Sequence, residues 1–419
     1  MIAMSDLLNV WYQKCLVGTL QQAPRGEVVF TYAHDWLSNA DAFAISLSLP
    51  LSSAPFAVEV STAFFDNYLP EERLRPMVAK EYGLESHSTY DLLKAIGAEC
   101  AGALSILPVN EVNSDSPFQY KELSYEEFAN YIRDIPSSPL LGGQKQMRLS
   151  LAGAQSKGAL RITPEMQFYI PLQGAPSTHI IKPASSAIKH LPENELFCMG
   201  LASHMGLDVP RFFLSETLPS AFIVERYDRK VHVGGIERIH QEDFCQALGL
   251  PSSLKYQEHG KGATLERCFS LLDRCENPQI EAHKLVQWIV YNVCIGNADA
   301  HAKNISFLYD QSKPRIAPFY DLVSTAIYPD LGKNLAMKIG NTNDGDRLYA
   351  SKWERFSKLI NIEYDIVREI GNELAVKLLE EIEKHSQNFI EQYSYIEEII
   401  LIGNIVKQRS SFLLEQWKK

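Results

Sequence analysis

The hydrophobic pattern changes its period along this chain, and that change limits the folds that it can adopt. Between residues 148 and 228 apolar residues mostly alternate, as in "MRLSLAG", "GALRI", "MQFYIPL" and "THIIKPA", which predicts short β-strands. From residue 236 onward the period is helical, and "EAHKLVQWIVYNVCIG" is the clearest helix, with Gly296 at its end. Strands followed by helices predict an α+β protein with two lobes, the first rich in β-strands and the second all-helical.

Two polar segments that contain proline divide the chain before the strand region. The segment 108–119 is the first candidate linker, and 135–146 is a second loop. The resulting prediction has an N-terminal subdomain at 1–115, a β-rich lobe at 145–230 and a helical lobe at 231–419.

The composition excludes several classes of protein. A net charge of -11 argues against a free-standing nucleic-acid binder, because phosphate contacts need Lys and Arg. Seven cysteines without a CxxC pair are typical of reduced thiols in the cytosol. The first twenty residues predict no signal peptide, and no apolar run is long enough for a membrane helix. The expected location is therefore cytoplasmic, without a membrane partner.

The segment "SLAGAQSKGAL", Ser150 to Leu160, is a turn of small residues ahead of a strand. Gly153 and Gly158 have the separation of a P-loop, but Ala and Leu follow where that motif needs Lys and Ser or Thr. A glycine-containing turn between two strands is instead what protein kinases lay over the phosphates of ATP. Taken alone, the segment also fits an ordinary hairpin turn.

A strand lysine and a strand end follow this turn. Lys182 in "HIIKPA" shares one strand face with Ile180, where its charge needs a partner such as a phosphate. Glu195 in the next helix is its expected ion-pair partner; the alternative is an edge lysine that reaches water. The strand "FIVERYDR" ends at Glu225 to Tyr227, where a hinge would offer backbone groups to a purine, or where a plain connector would lie.

The segment "NADAHAKN" carries Asp299 and Asn304 five positions apart. Phosphoryl transfer needs a carboxylate that accepts the proton of the incoming hydroxyl and an oxygen ligand for magnesium, and kinase catalytic loops have this Asp-x4-Asn spacing. Lys303 lies between them, where it would steady the transferred phosphoryl group. Asp321 ends another apolar run and would supply a second metal ligand; its alternative role is a turn or helix-cap aspartate.

Six elements follow one another along the chain: the glycine loop, the strand lysine, the helix glutamate, the hinge, the Asp-x4-Asn segment and the final aspartate. Their order is more informative than any one of them, and it predicts a kinase-type phosphotransferase. With these residues in view, the sequence resembles HipA-type serine/threonine kinases, the toxins of bacterial toxin–antitoxin pairs. The motifs that carry the resemblance are "SLAGAQSKGALRI", "THIIKPA", "NELFCMGLASHMGLDVP", "VERYDR", "QEDFCQALGLPSSLKY", "NADAHAKNISF" and "PFYDLVS". The N-terminal "FFDNYLPE" and "LLKAIGAECAGALSILP" resemble the family's extra subdomain.

The resemblance implies a role for each matching residue. Asp299 would be the catalytic base with Lys303 beside it, and Asn304 and Asp321 would hold Mg²⁺. Ser150 matches the family's regulatory serine, whose autophosphorylation ejects the phosphate loop. The residues implied to contact ATP are Ala152, Gly153, Ala154, Gln155, Ser156, Lys157, Lys182, Glu225, Arg226, Tyr227, His301, Asn304, Tyr320 and Asp321.

The resemblance also implies the cofactors ATP and Mg²⁺, a helix-turn-helix antitoxin that mediates any DNA contact, and a protein substrate such as an aminoacyl-tRNA synthetase. Two departures stand out: Ser156 replaces an acidic residue of close relatives, and the tail beyond about residue 340 matches poorly. Two other functions stay open, a small-molecule phosphotransferase with the same loop and a non-catalytic co-repressor bound to an antitoxin. The intact catalytic residues argue against the second.

Overall fold

The computed structural model describes residues 7–71, 73–111, 118–140, 147–185, 187–217, 219–257, 261–309, 313–393 and 397–418. The predicted linker and the predicted loop lie partly outside these ranges, at 112–117 and 141–146. The chain divides into two compact units, within 1–183, 215–252 and 308–310 for the first and 184–214, 253–307 and 311–419 for the second. The predicted domain limits at 1–115, 145–230 and 231–419 stay predictions.

The strands are β1 Leu7–Tyr12, β2 Cys15–Gln22, β3 Val28–Tyr32, β4 Leu104–Pro108, β5 Tyr120–Leu123, β6 Gly158–Ile162, β7 Phe168–Pro171, β8 His179–Pro183, β9 Phe212–Leu214, β10 Ala221–Glu225, β11 Arg229–His232, β12 Gly235–Arg238, β13 His240–Asp243, β14 Ser306–Tyr309, β15 Arg315–Ile316, β16 Asn334–Ile339 and β17 Thr342–Asp344. The helices are α1 His34–Leu37, α2 Val58–Asp66, α3 Arg75–Glu81, α4 Thr89–Ile96, α5 Tyr125–Asp134, α6 Leu191–Met205, α7 Phe244–Ala247, α8 Leu265–Leu271, α9 Pro278–Ile295, α10 Ala350–Leu359, α11 Tyr364–Tyr393 and α12 Glu397–Trp417.

The first unit begins with an antiparallel sheet in the order β3-β2-β1-β4. Along β1, buried and half-buried residues alternate at first, and Leu8 and Val10 are fully buried. On β3, the Phe30 ring lies 5.4 Å from the ring of Phe65 in α2, centroid to centroid. The sheet and α2 therefore share one apolar core.

The strand lysine lies in a second sheet of this unit. Five strands follow the order β5-β7-β6-β8-β10, and β8 pairs antiparallel with both β6 and β10. This central position buries Lys182, which is 4% exposed and whose ammonium lies 5.8 Å from the centroid of the Phe222 ring. The predicted partner Glu195 belongs to α6 of the second unit, and that pairing stays a prediction.

The predicted strand "MRLSLAG" is wrong, since residues 147–151 form a bridge and no strand. Leu149 bridges Glu99, because the Glu99 N–H donates to the Arg148 carbonyl at 3.0 Å and the Ser150 N–H donates to the Glu99 carbonyl at 2.8 Å. The alternating pattern indicated extended backbone correctly. It carried no information about the partner, which is a turn 50 residues earlier in the sequence.

In the second unit, α9 leads directly into the Asp-x4-Asn segment. Gly296 ends this helix in the left-handed conformation with φ 73°, and the Asn297 N–H donates to the Asn292 carbonyl at 2.9 Å. A Cβ at position 296 would lie 2.8 Å from the Cβ of Ala326. Both the backbone angle and the close approach therefore require glycine at this turn.

Long C-terminal helices complete the core of the second unit. α11 and α12 pack on each other and on α9. Trp417 of α12 lies over Gly371 of α11 and 5.4 Å from the Trp353 ring of α10, centroid to centroid. No helix among the described residues is both long and apolar enough to cross a bilayer.

The region after residue 231 is mainly helical, but it is not all-helical as predicted. β16 and β17 form an antiparallel hairpin around Gly340, which has φ 67°. A Cβ at Gly340 would lie 2.5 Å from the carbonyl oxygen of Lys352, so the turn depends on glycine. Three successive residues of β16, 335–337, are buried, so its apolar residues do not alternate and its sequence shows no period of two.

Candidate active site

The Asp-x4-Asn segment folds back on itself directly after α9. The Asp299 carbonyl accepts hydrogen bonds from the His301 N–H at 2.9 Å and from the Asn304 side-chain amide at 3.4 Å. Residues Ala302–Asn304 form a short 3₁₀ helix, in which the Asn304 N–H donates to the His301 carbonyl at 2.9 Å. These hydrogen bonds bring Asp299 and Asn304 together in one turn.

Asn297, which the sequence interpretation missed, ties this turn to the segment that carries Asp321. Its side-chain oxygen accepts from the Asp299 N–H at 3.0 Å, and its amide donates to the Asp321 carbonyl at 3.4 Å and to the Asn292 side-chain oxygen at 2.8 Å. Asn297 is buried. One side chain therefore holds the backbone on both sides of the site, and its place after the helix-ending glycine was the available sequence signal.

Asp321 itself has a strained backbone. Its φ of 55° lies in the left-handed region, which costs a residue with a side chain about 1–3 kcal/mol. The neighbouring Tyr320 anchors this segment, since its hydroxyl donates to the Lys303 carbonyl at 2.7 Å and lies 2.7 Å from the Ser306 hydroxyl. The fold thus fixes Asp321 beside the Lys303 turn at an energetic cost, as is common at functional sites.

The surroundings of Asp299 combine exposed and buried groups. The Asp299 carboxylate is exposed, and its Oδ1 accepts a hydrogen bond of 2.7 Å from the Tyr256 hydroxyl. His301 is buried, and this burial, followed by the charges of Lys255 and Lys303, holds the pKa of its imidazole well below 6.5. His301 is therefore neutral near pH 7, and its Nδ1 has no hydrogen-bond partner among the described residues.

The second unit offers donors that fit a magnesium ion held with a nucleotide. The Asn304 side-chain nitrogen donates to the Asp299 carbonyl, so the side-chain oxygen of Asn304 points away from that carbonyl and can accept or coordinate. Asp321 adds a carboxylate. Amide and carboxylate oxygens suit Mg²⁺, which completes its six ligands with water and substrate phosphates. The buried Nδ1 of His301 is a further polar atom that a bound nucleotide would satisfy.

In the first unit, the loop that contains Ser150 packs against residues 68–71. Ser150 is fully buried, and its hydroxyl donates to the Tyr68 carbonyl at 2.7 Å. Gly153, with φ 112°, accepts a hydrogen bond of 3.2 Å from the Glu71 N–H. Residues 68–71 therefore hold this loop at two points.

The rest of the loop is held by its own lysine. The Lys157 ammonium donates to the Ala152 carbonyl at 2.8 Å, and a Cβ at Gly153 would lie 2.7 Å from that ammonium. Ala154 is exposed, while Gln155 and Ser156 are half-buried. Lys157 thus closes the loop across its base, and Ala154 at its tip is exposed to solvent.

The three residues at the end of β10 have different surroundings. Glu225 is half-buried, and the Tyr227 hydroxyl donates to the Gln241 side-chain oxygen. The Arg226 guanidinium is buried and donates to the Glu99 carboxylate at 3.2 Å. Its backbone N–H donates to the Thr178 carbonyl at 2.8 Å, so any role of Arg226 beside a nucleotide would rest on its carbonyl oxygen.

A sheet with a buried strand lysine, a small-residue loop and a helical unit with an Asp-x4-Asn turn define the kinase-like class of α+β proteins. Residues 149–386 match the family model for the HipA-like C-terminal domain, and residues 8–107 match that for the HipA N-terminal domain. The first match covers more than half of the 419 residues. The chain therefore belongs to the HipA family.

Individual relatives agree with this assignment. The chain is 39% identical over 372 residues to a protein named putative kinase Y4mE from Sinorhizobium fredii, covering 86% of this chain and 87% of that protein. It is 32% identical over 339 residues to the serine/threonine-protein kinase toxin HipA from Shewanella oneidensis, covering 78% and 76%.

A solved structure resembles nearly the whole chain. It is described as the Shewanella oneidensis toxin–antitoxin system of HipA, HipB and its operator DNA, and it matches with a TM-score of 0.77 at 26% identity. The match covers 98% of this chain and 96% of that one. The predicted kinase-like α+β fold class and the resemblance to HipA-type kinases are confirmed.

Proposed function

We propose that this protein is a serine/threonine protein kinase that transfers the γ-phosphate of ATP to a protein serine, as the toxin of a bacterial toxin–antitoxin pair. The observation that carries the proposal is the turn that holds Asp299 and Asn304 together, with Asp321 tied to it through Asn297. An exposed carboxylate beside two oxygen ligands is what phosphoryl transfer to a hydroxyl requires.

Each side chain of this turn has its own part in the proposed reaction. Asp299 accepts the proton of the attacking hydroxyl, and Lys303 steadies the transferred phosphoryl group. Asn304 and Asp321 hold Mg²⁺, which when bound neutralises charge on the phosphates. His301 remains neutral, because burial lowers its pKa, and contacts the nucleotide without adding charge.

In the first unit, the loop Ala152 to Lys157 binds the phosphates of ATP through its backbone N–H groups. Lys182 adds an ammonium, and its place on β8, in the middle of the sheet that follows this loop, supports this role. The segment Glu225 to Tyr227 borders the adenine, and Arg226 contributes its carbonyl oxygen alone.

Ser150 is the proposed site of autophosphorylation and of regulation. Its buried hydroxyl on the Tyr68 carbonyl supports this, because the loop must leave that position before the serine can accept a phosphate. A phosphate adds a charge of about -1.5 to -2, and keeping that charge in a fully buried position would cost free energy. Phosphorylation would therefore keep the loop out and silence the kinase.

The proposed partner is a helix-turn-helix antitoxin, and DNA is contacted only through it. The similar solved complex, whose description includes HipB and operator DNA, supports this partner. The proposed substrate is a protein serine, and an aminoacyl-tRNA synthetase is the candidate that family membership suggests.

Intact-mass spectrometry after incubation with Mg-ATP tests the proposal on wild type, Asp299→Asn and Ser150→Ala. We expect one added phosphate on wild type, mapped to Ser150, and none on either variant. Asp299→Asn preserves size and the capacity to accept a hydrogen bond, so its folding should match wild type.

Three outcomes would contradict the proposal. Transfer by Asp299→Asn at the wild-type rate would remove the catalytic base. Label found only on a small molecule in a metabolite panel would indicate a small-molecule phosphotransferase. Operator repression without any turnover of ATP would indicate a co-repressor.

A further inference from the structure

Tyr256 contacts the proposed base, although the function proposed above does not use it. Its hydroxyl donates to the Asp299 Oδ1 at 2.7 Å, across 43 positions of sequence. Its ring lies edge-on to the His301 imidazole, with ring centroids 5.2 Å apart and an interplanar angle of 78°. Tyr256 thus contacts both the carboxylate and the buried imidazole of the turn.

The segment around Tyr256 is fixed from two sides. The neighbouring Gln257 is bound to β16, since its N–H donates to the Ala336 carbonyl at 2.8 Å and its side-chain oxygen accepts from the Lys338 N–H at 2.8 Å. On the other side, the Ala302 N–H points at the Lys255 carbonyl at 3.4 Å.

The backbone at Tyr256 is also closely packed. A Cβ at Gly262 would lie 2.0 Å from the Tyr256 carbonyl oxygen, so only glycine fits there. The segment that carries Tyr256 is therefore held by β16 and packed against Gly262.

We propose that Tyr256 is a positioning residue for phosphoryl transfer. An exposed carboxylate rotates about its Cβ–Cγ bond unless one oxygen is held. The Tyr256 hydroxyl holds Oδ1, so the carboxylate is oriented before the hydroxyl of the acceptor arrives. The inference rests on the proposed function, because it assigns Asp299 as the base.

The test compares Tyr256→Phe with wild type, using ATP labelled at the γ-position and, as acceptors, casein and heat-inactivated soluble bacterial protein. Tyr256→Phe removes only the hydroxyl and keeps the ring on His301. We expect kcat to fall about tenfold or more, the scale of one hydrogen bond to a charged group. The KM for ATP should stay within about twofold of wild type, because binding of the nucleotide does not depend on the orientation of the Asp299 carboxylate.

Tyr291→Phe is the matched control in the same unit. The Tyr291 hydroxyl is buried and donates to the Cys198 carbonyl at 2.5 Å, so its loss should lower the melting temperature and leave kcat unchanged. Tyr256→Phe should show the reverse pattern. A lowered melting temperature with unchanged kcat in Tyr256→Phe would indicate a structural residue and overturn the inference.

Asp299→Asn separates this inference from the proposed function. If wild type transfers phosphate, Asp299→Asn does not and Tyr256→Phe equals wild type, the positioning role is wrong while the base role stands. If wild type transfers nothing, or Asp299→Asn equals wild type, the proposed function fails and this inference fails with it.

Discussion

A buried ion cluster in the first unit gives the most quantitative prediction. The Arg226 guanidinium donates to both Asp228 carboxylate oxygens at 3.0 and 2.9 Å, to the Glu99 carboxylate at 3.2 Å, to the Ser177 hydroxyl at 2.9 Å and to the Cys100 carbonyl at 3.0 Å. Exchanging this arginine for methionine keeps an unbranched, flexible side chain, but it shortens that side chain and removes its charge and its hydrogen-bond donors. The cluster joins the end of β10 to the turn at residues 99–102.

The expected loss of stability follows from burial. The side chains of Glu99, Arg226, Asp228 and Arg229 are between 1% and 6% exposed. Burial alone would raise the pKa of Asp228, but Arg226 and Arg229 hold it below its usual value, so the pair stabilises the fold at neutral pH and loses this effect in acid. Removing one partner of such a buried pair costs about 3–5 kcal/mol.

Thermal unfolding, followed by tryptophan fluorescence at pH 7, measures this loss. With about 2–4 °C per kcal/mol for a domain of this size, Arg226→Met should lower the melting temperature of the first unit by roughly 10 °C. The control Arg368→Met removes an exposed ion pair with Asp365, whose N–O distance is 2.8 Å, and should cost under about 1 kcal/mol. Equal melting temperatures for Arg226→Met and the control would refute the reasoning.

Two further predictions concern a buried acid and the turn after α9. Burial raises the pKa of Glu242 from 4.5 to about 7. At a pH between these two values, Glu242 is ionised in the unfolded chain and keeps its proton in the folded chain. The free energy of unfolding should therefore fall by about 3 kcal/mol as the pH rises from 4.5 to 7. In Glu242→Gln, melting temperatures measured across that range should no longer show this fall. Gly296→Ala should lower the free energy of unfolding by about 1–3 kcal/mol and slow phosphoryl transfer, because a Cβ would lie 2.8 Å from the Cβ of Ala326. The control Gly332→Ala, whose Cβ would have nothing within 4 Å, should have the melting temperature of wild type.

Local patterns predicted the elements that carry the site, because period and spacing act within one stretch of chain. The strand period gave β6 and β8, and the helical period gave α9 with its glycine end. The helix end at Gly296 predicted that Asp299 and Asn304 share one loop, and their hydrogen bond lies within that segment.

The contacts that fix the site join distant parts of the chain, and only the tertiary structure decided them. Tyr256 and Asp299 are 43 positions apart, and Ser150 and Tyr68 are 82 apart. The Arg226 cluster reaches back 127 positions to Glu99. A period of two shows that a segment is extended. It does not show which other segment pairs with it, because any exposed backbone edge can supply the hydrogen bonds. Packing of the whole chain decides which distant segments meet. The buried position of Ser150, the hydrogen bond that holds the Asp299 carboxylate and the burial of Arg226 could therefore not be predicted from local sequence patterns.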